Sequence, residues 1–109
     1  DSGYVNRLVR IIESSDCYYG RGIGITGEPS NVYLAFENLK KVASDSMWIN
    51  FSFSKSSIMK LYSYDALAHN TKYRVILRGR LMHDSTSICI RSNDITINCS
   101  LREYISLNK

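Results

Sequence analysis

The side chains able to do chemistry in this chain are few and scattered. Its histidines, His69 and His83, lie in different segments, and its cysteines, Cys17, Cys89 and Cys99, include no CxxC pair. A zinc site needs four convergent ligands, or three and a water, and this spacing supplies no such set. Glu13, Asp16, Glu28 and Asp45 could be brought together by folding, but no spacing requires it. Ser57, Asp65 and His69 do not define a triad, because a serine-rich chain produces such coincidences by number alone. The expectation is a protein that is not an enzyme and uses no cofactor and no metal.

Residues 16–27, DCYYGRGIGITG, hold four of the six glycines. They do not form a G-x-x-x-x-G-K-[ST] phosphate loop. Gly22, Gly24 and Gly27 match G-x-G-x-x-G, but that fingerprint requires a helix to open at once, and Glu28-Pro29-Ser30 follows instead. Gly20, Gly22 and Gly24 fall at period two and leave one side of a strand bare. Such a side marks tight curvature or a close neighbour. Barrel curvature is one reading, and a shallow binding surface bordered by Tyr18 and Arg21 is the other.

The 109 residues suffice for one domain, residues 1–109. Fourteen Lys and Arg against ten Asp and Glu give a net charge of +4. That balance favours acidic partners such as nucleic acid, anionic glycans or a membrane face, although a soluble domain can simply be basic. Eight tyrosines and one tryptophan suit base stacking, sugar recognition or a protein interface. No run of eighteen apolar residues exists. The chain starts at Asp1 without Met or leader, as a mature secreted protein or a trimmed chain would. Asn50-Phe-Ser and Asn98-Cys-Ser match the glycosylation pattern formally.

The elements that must position these residues read mostly as short strands. Strands are expected over Tyr4 to Ile12, Cys17 to Thr26, Val32 to Phe36 and Met47 to Phe53, with Gly27 to Asn31 as a turn. In MWINFSF, Met47, Ile49, Phe51 and Phe53 form the apolar face and Trp48 lies on the other. Ser54, Ser56 and Ser57 offer caps for one helix over 57 to 69, which Asn70-Thr71-Lys72 ends. Tyr73 to Leu81 is expected as a strand with Arg74, Arg78 and Arg80 on one side. A hairpin follows from Ser87 to Asn98, and the tail from Ser100 is a strand, a short helix or a clasp. Cys89 and Cys99 flank that hairpin and are the favoured disulfide in an oxidising compartment. Three pairings, or three free thiols in a reducing one, stay open. This order gives a mainly β domain with one main α-helix, a small OB-fold-like β-barrel.

The segment from Phe53 to Leu77, the cysteine opening the second strand, Tyr73-Arg74-Val75 after the helix and the late cysteine together carry a family resemblance. The chain resembles the glycan-binding B subunits of bacterial AB5 toxins, in the subtilase-cytotoxin, typhoid-toxin and pertussis-like branch. The resemblance implies a secreted or periplasmic, non-catalytic subunit that forms a homopentameric ring, binds sialylated cell-surface glycans and delivers a catalytic toxin subunit. It places a sugar-contacting serine on Ser2 and an arginine on Arg74, suitable partners for a sugar carboxylate. With Tyr18 and Arg21 these make up the expected glycan site. A single-stranded nucleic-acid binder on the same barrel, or a protein-interaction domain, are the alternative expectations.

Overall fold

Val5, Leu8, Val9 and Ile12 recur at the three- and four-residue steps that put side chains on one helical face. In the computed structural model, which describes residues 2–23, 30–93 and 95–107, they belong to helix α1 (Ser2–Glu13), and Leu8 and Ile12 are buried. No strand forms over Tyr4 to Ile12. The same reversal occurs three more times. Val32 to Phe36 opens α2 (Asn31–Val42), which buries Ala35, Phe36 and Leu39 at helical spacing. Of the Met47 to Phe53 run, Met47 to Phe51 lies in α3 (Asp45–Phe51) and Ser52 and Phe53 turn away beyond it, and Tyr73 to Leu81 lies in α5 (Thr71–Leu81) with Leu77 and Leu81 inside. The helix expected over 57 to 69 is present as α4 (Ser57–Ala66).

Polar caps settle what the apolar pattern left ambiguous. Ser30, Ser44, Ser56 and Asn70 each accept a hydrogen bond from a backbone N–H three residues on, at Tyr33, Met47, Met59 and Tyr73. Each cap satisfies an otherwise unpaired first-turn donor and contributes about 1 kcal/mol. Asn70, read as a breaker, is the start of the next helix. The tail is α6 (Leu101–Leu107). A reciprocal pair opens it: Ser100 Oγ accepts from Glu103 N–H at 3.1 Å, and Ser100 N–H donates to Glu103 Oε1 at 3.0 Å.

Three strands complete the domain. β1 (Cys17–Ile23) runs parallel to β2 (Ser87–Asn93), and β2 pairs antiparallel with β3 (Ile95–Ser100), giving the order β1-β2-β3. The expected hairpin is therefore formed. The remainder of the strand drawn to Thr26, and Gly27 to Pro29 of the expected turn, lie outside the described residues. Among the described residues, an open three-stranded sheet with six helices is not a barrel. The fold is a mainly helical α/β domain, so the OB-fold reading, and the toxin B-subunit resemblance that rested on it, are corrected. The cause is physical: short apolar runs satisfy both the strand and the helix period, and only their caps and lengths decide.

Aromatic rings bind the layers together. Phe51 meets Trp48, Trp48 meets Phe36, Phe36 meets Tyr62, Tyr62 meets Tyr18, and Tyr18 meets Tyr104, at centroid distances of 4.6 to 5.9 Å. This chain of contacts crosses α3, α2, α4, β1 and α6. Most tyrosines in it work as core, at about 0.5–1.5 kcal/mol per ring pair beyond their area. Tyr62 also closes the outer edge of β1. Its hydroxyl accepts from Tyr19 N–H at 3.0 Å and donates to the Tyr19 carbonyl at 2.9 Å.

The disulfide joins Cys17 to Cys89, and Cys99 is free. The expected Cys89–Cys99 pair is not made, and the register explains why. Cys89 lies opposite Asn98 and Cys99 opposite Ile88, so the two cysteines project from opposite faces of the sheet. Cys17 lies directly beside Cys89 in the parallel pair, with Cα atoms 4.5 Å apart. The bare side of β1 has a close neighbour at one position at least. A Cβ on Gly20 would stand 3.3 Å from Ser92 Oγ of β2.

Candidate functional site

Three clusters concentrate the chain's polar chemistry. The first is partly buried. Tyr18 of β1 donates its hydroxyl hydrogen bond to the Asp65 carboxylate of α4. Burial pushes the Asp65 carboxyl above the usual carboxylate range, against the Tyr18 bond and the attraction of Arg74. Burial, then the Asp65 charge, push the Tyr18 phenol up as well, and burial does the same to Tyr62 and Tyr104. The cluster is a packed polar tie between sheet and helices. Asp65 lines neither of the two recesses described below.

The second cluster is exposed. His69 Nε2 stands 2.9 Å from Asp45 Oδ1, and Asn70 Nδ2 donates to Asp45 Oδ2 at 2.8 Å. These two neighbours, Asn70 first, hold the Asp45 carboxyl below its ordinary range. His69 is thus tied to Asp45 rather than Asp65. Among the described residues no three of His, Cys, Asp and Glu converge as metal ligands.

The third cluster is the outer face of α5, whose sequence TKYRVILRGRL carries four cations and no carboxylate. Reading it as a strand put Arg74, Arg78 and Arg80 on one side. At about 100° per residue, a helix keeps Arg74 and Arg78 together and turns Arg80 away. Arg80 Nη2 donates to the carbonyl and Oγ of buried Ser52, both at 3.0 Å, and its guanidinium lies 4.1 Å from the Phe53 ring centroid. That cation closes the C-terminal end of α3, where helix carbonyls are unpaired. Arg74 covers the Tyr64 ring at 4.0 Å and donates to the Tyr64 carbonyl at 3.3 Å. Arg78 makes no side-chain hydrogen bond or ion pair with the described residues. Between Arg74 and Arg78 lies a cavity of about 190 Å³ lined by Tyr64, Ala68, Thr71 and Val75. Val75 in its lining is exposed. A second, wider recess is lined by Asp16 and Arg91 among others, opposite charges that favour neither sign of ligand.

The residues expected to bind a glycan are dispersed. Ser2 is the exposed first residue of α1, a helix that packs on α2 and α4, and it does not line the cavity at Arg74. Tyr18 is half-buried, with its hydroxyl given to Asp65 and its ring packed on Tyr62. Arg21 lies on β1, with a side chain outside what the structure describes. Of the expected site residues whose side chains are described, Arg74 lines a cavity. Tyr64 was passed over in the sequence, and Asp65 was weighed there only beside Ser57 and His69, not as a partner of Tyr18. Their signal was available in the Tyr62 to Asp65 run, where alternate ring and carboxylate types inside an otherwise apolar helix imply buried polar partners.

No family model and no curated protein matches this chain.

Proposed function

We propose that this chain is a non-catalytic recognition domain that binds an acidic, partly apolar segment of a partner protein on the α4–α5 face. One observation carries the reading: Arg78, whose guanidinium has no hydrogen-bond or ion-pair partner among the described residues, stands beside the apolar cavity that Arg74 and Tyr64 border. A guanidinium fork takes a carboxylate in two parallel hydrogen bonds. The adjacent apolar floor of Ala68 and Val75 takes an aliphatic side chain. α5 carries four cations and no carboxylate of its own, and its positive field speeds encounter with an acidic partner. The non-catalytic part is supported by the packing of Asp65 and Tyr18 against each other away from either recess. The Cys17–Cys89 bridge supports an oxidising compartment, hence a secreted or periplasmic setting. No described helix is long and apolar enough to cross a membrane.

The test uses a fluorescent peptide rich in glutamate and leucine, beside its glutamine counterpart, titrated by anisotropy at several salt concentrations. The glutamate peptide binds, more weakly as salt rises, and Arg78→Ala weakens it about tenfold, as loss of a charged hydrogen bond of about 1.5 kcal/mol requires. Equal binding of the glutamine peptide, or an Arg78→Ala variant that binds like the parent, overturns the reading.

A further inference from the structure

The sheet has two edges, and among the described residues the β1 edge is covered at Tyr19. Tyr19 turns its N–H and C=O away from β2, where the Tyr62 hydroxyl takes both. Its register partner Arg91 therefore bonds toward β1, and the flanking Ile88 and Ile90 bond toward β3. Ile97 lies opposite Ile90 and Cys99 opposite Ile88, so these two also bond inward. By alternation Thr96, Asn98 and Ser100 turn their backbone groups outward. Ser100 N–H is satisfied by Glu103. Thr96 and Asn98 are exposed, and no described residue bonds their outward groups.

This open edge lacks the devices that normally keep one apart from other strands. It has no charge, proline or bulge from Ile95 to Cys99, and β-branched residues fill its first three positions. Ile95 and Ile97, on the face that holds buried Ile88 and Ile90, are 65% and 54% exposed.

We infer that β3 pairs with β3 of a second copy of this chain, antiparallel and centred on Ile97. In that register each Thr96 exchanges both backbone hydrogen bonds with Asn98 of the other copy, so all four outward groups on each strand are satisfied. Ile97 meets Ile97 of the other copy at a close, non-hydrogen-bonded position, and Ile95 meets Cys99. One face of the joint becomes a continuous apolar strip and the other a row of hydroxyl and amide pairs. Charge does not oppose this occupant, whose self-complementary register follows from the pairing of Ile95 to Cys99 with β2. The α5 face repels another copy of itself, whereas the uncharged β3 edge does not. The nearest described cation in the sheet, Arg91, projects from the opposite face over the Tyr19 ring. Because the pairing uses the same edge of both copies, it closes as a twofold dimer with a six-stranded sheet, and Tyr62 occupies the β1 edge at Tyr19. This inference does not depend on the proposed function, since it uses a different surface.

Sedimentation velocity on the whole chain over a concentration series tests it, in a Cys99→Ser background that removes thiol-linked species. The expected result is a reversible monomer–dimer shift. Ile97→Lys abolishes the dimer with an unchanged circular dichroism spectrum, because Ile97 is exposed in the monomer. A cysteine introduced by Ile97→Cys in the same background links two copies on mild oxidation. A protein that stays monomeric at the highest concentration, a dimer that survives Ile97→Lys, or open-ended polymers would each overturn it.

Discussion

Tyr18 and Asp65, 47 residues apart, are joined by a hydrogen bond that ties the edge strand of the sheet to the central helix. The phenol ring packs on Tyr62 at 4.6 Å and on Tyr104 at 5.9 Å. The same residue thus serves as an apolar wedge and as the donor that makes a largely buried carboxyl tolerable. Desolvation still dominates, and the Asp65 carboxyl is held above its ordinary range.

That direction fixes a pH dependence. A carboxyl whose folded-state pKa exceeds its unfolded value favours folding below the unfolded value. The contribution is lost as pH rises through the folded value. Asp65→Asn keeps an acceptor for Tyr18 and removes the charge. Its melting temperature is expected to exceed the parent's at neutral pH, with the gap narrowing on acidification through the raised pKa. Paired thermal melts at neutral and acidic pH read the difference directly, so the opposite slope from Asp45, Glu37 and Glu103, whose carboxyls are held low, cancels between the two proteins. A constant gap would show that Asp65 is not the titrating group.

Tyr18→Phe leaves that carboxyl without its donor, at a cost of about 1–3 kcal/mol. In the Asp65→Asn background the same change costs less, because a neutral amide tolerates an unpaired site better than a carboxylate does. Urea unfolding of the four proteins closes the double-mutant cycle. Additive costs would mean that the hydrogen bond contributes nothing beyond ring packing.

The disulfide spans 72 residues and encloses α2 to α5. Tethering a loop of this length removes unfolded-state entropy worth about 4 kcal/mol at most, and native disulfides typically contribute roughly 2–4. Cys17→Ser with Cys89→Ser is expected to lower the urea midpoint accordingly. Cys99→Ser leaves it nearly unchanged and removes the one thiol that reacts in the folded oxidised protein. Thiol counting before and after denaturation separates this pairing from the Cys89–Cys99 alternative.

The sharpest contrast with the sequence reading lies in MWINFSF. Alternation placed Phe53 in the core and Trp48 outside, whereas Trp48 is 2% exposed and Phe53 67%. Trp48→Ala is therefore expected to destabilise by about 3–5 kcal/mol. Phe53→Ala loses mainly its contact with Arg80 and costs about 1 kcal/mol or less. Near-equal losses in denaturant unfolding would restore the strand assignment.

What was legible followed from local chemistry, and what was not needed partners distant in sequence. The hairpin from Ser87, the strand from Cys17 and the helix near Ser57 each carried one unambiguous signal: turn residues, alternation beside glycines, or clustered caps. In Tyr4 to Ile12 and Tyr73 to Leu81, alternation and helical spacing were both satisfied by the same aliphatic residues. The capping box Ser100-Leu101-Arg102-Glu103 was a readable start signal for α6, as was Asn70 for α5. Of the candidate site, Arg74 and Arg78 were visible as a pair, but only helical geometry separates them from Arg80. Tyr64 and the inward role of Tyr18 depend on packing between elements that no local pattern encodes.

Gly79 offers the cleanest test of the helix assignment for α5. It is exposed, lies within the helix, and a Cβ built there has no heavy atom within 4 Å. Glycine inside a helix costs about 0.5–1 kcal/mol relative to alanine. Gly79→Ala should therefore raise stability by about that much. Were Tyr73 to Leu81 a strand, alanine would gain less, because alanine favours strands poorly. Gly20 is the internal control. A Cβ there meets Ser92 Oγ at 3.3 Å, so Ser92 must shift before Gly20→Ala can gain anything. The expected order of urea midpoints is Gly79→Ala above the parent and Gly20→Ala below Gly79→Ala. A Gly79→Ala variant less stable than the parent would mean that something covers this part of α5.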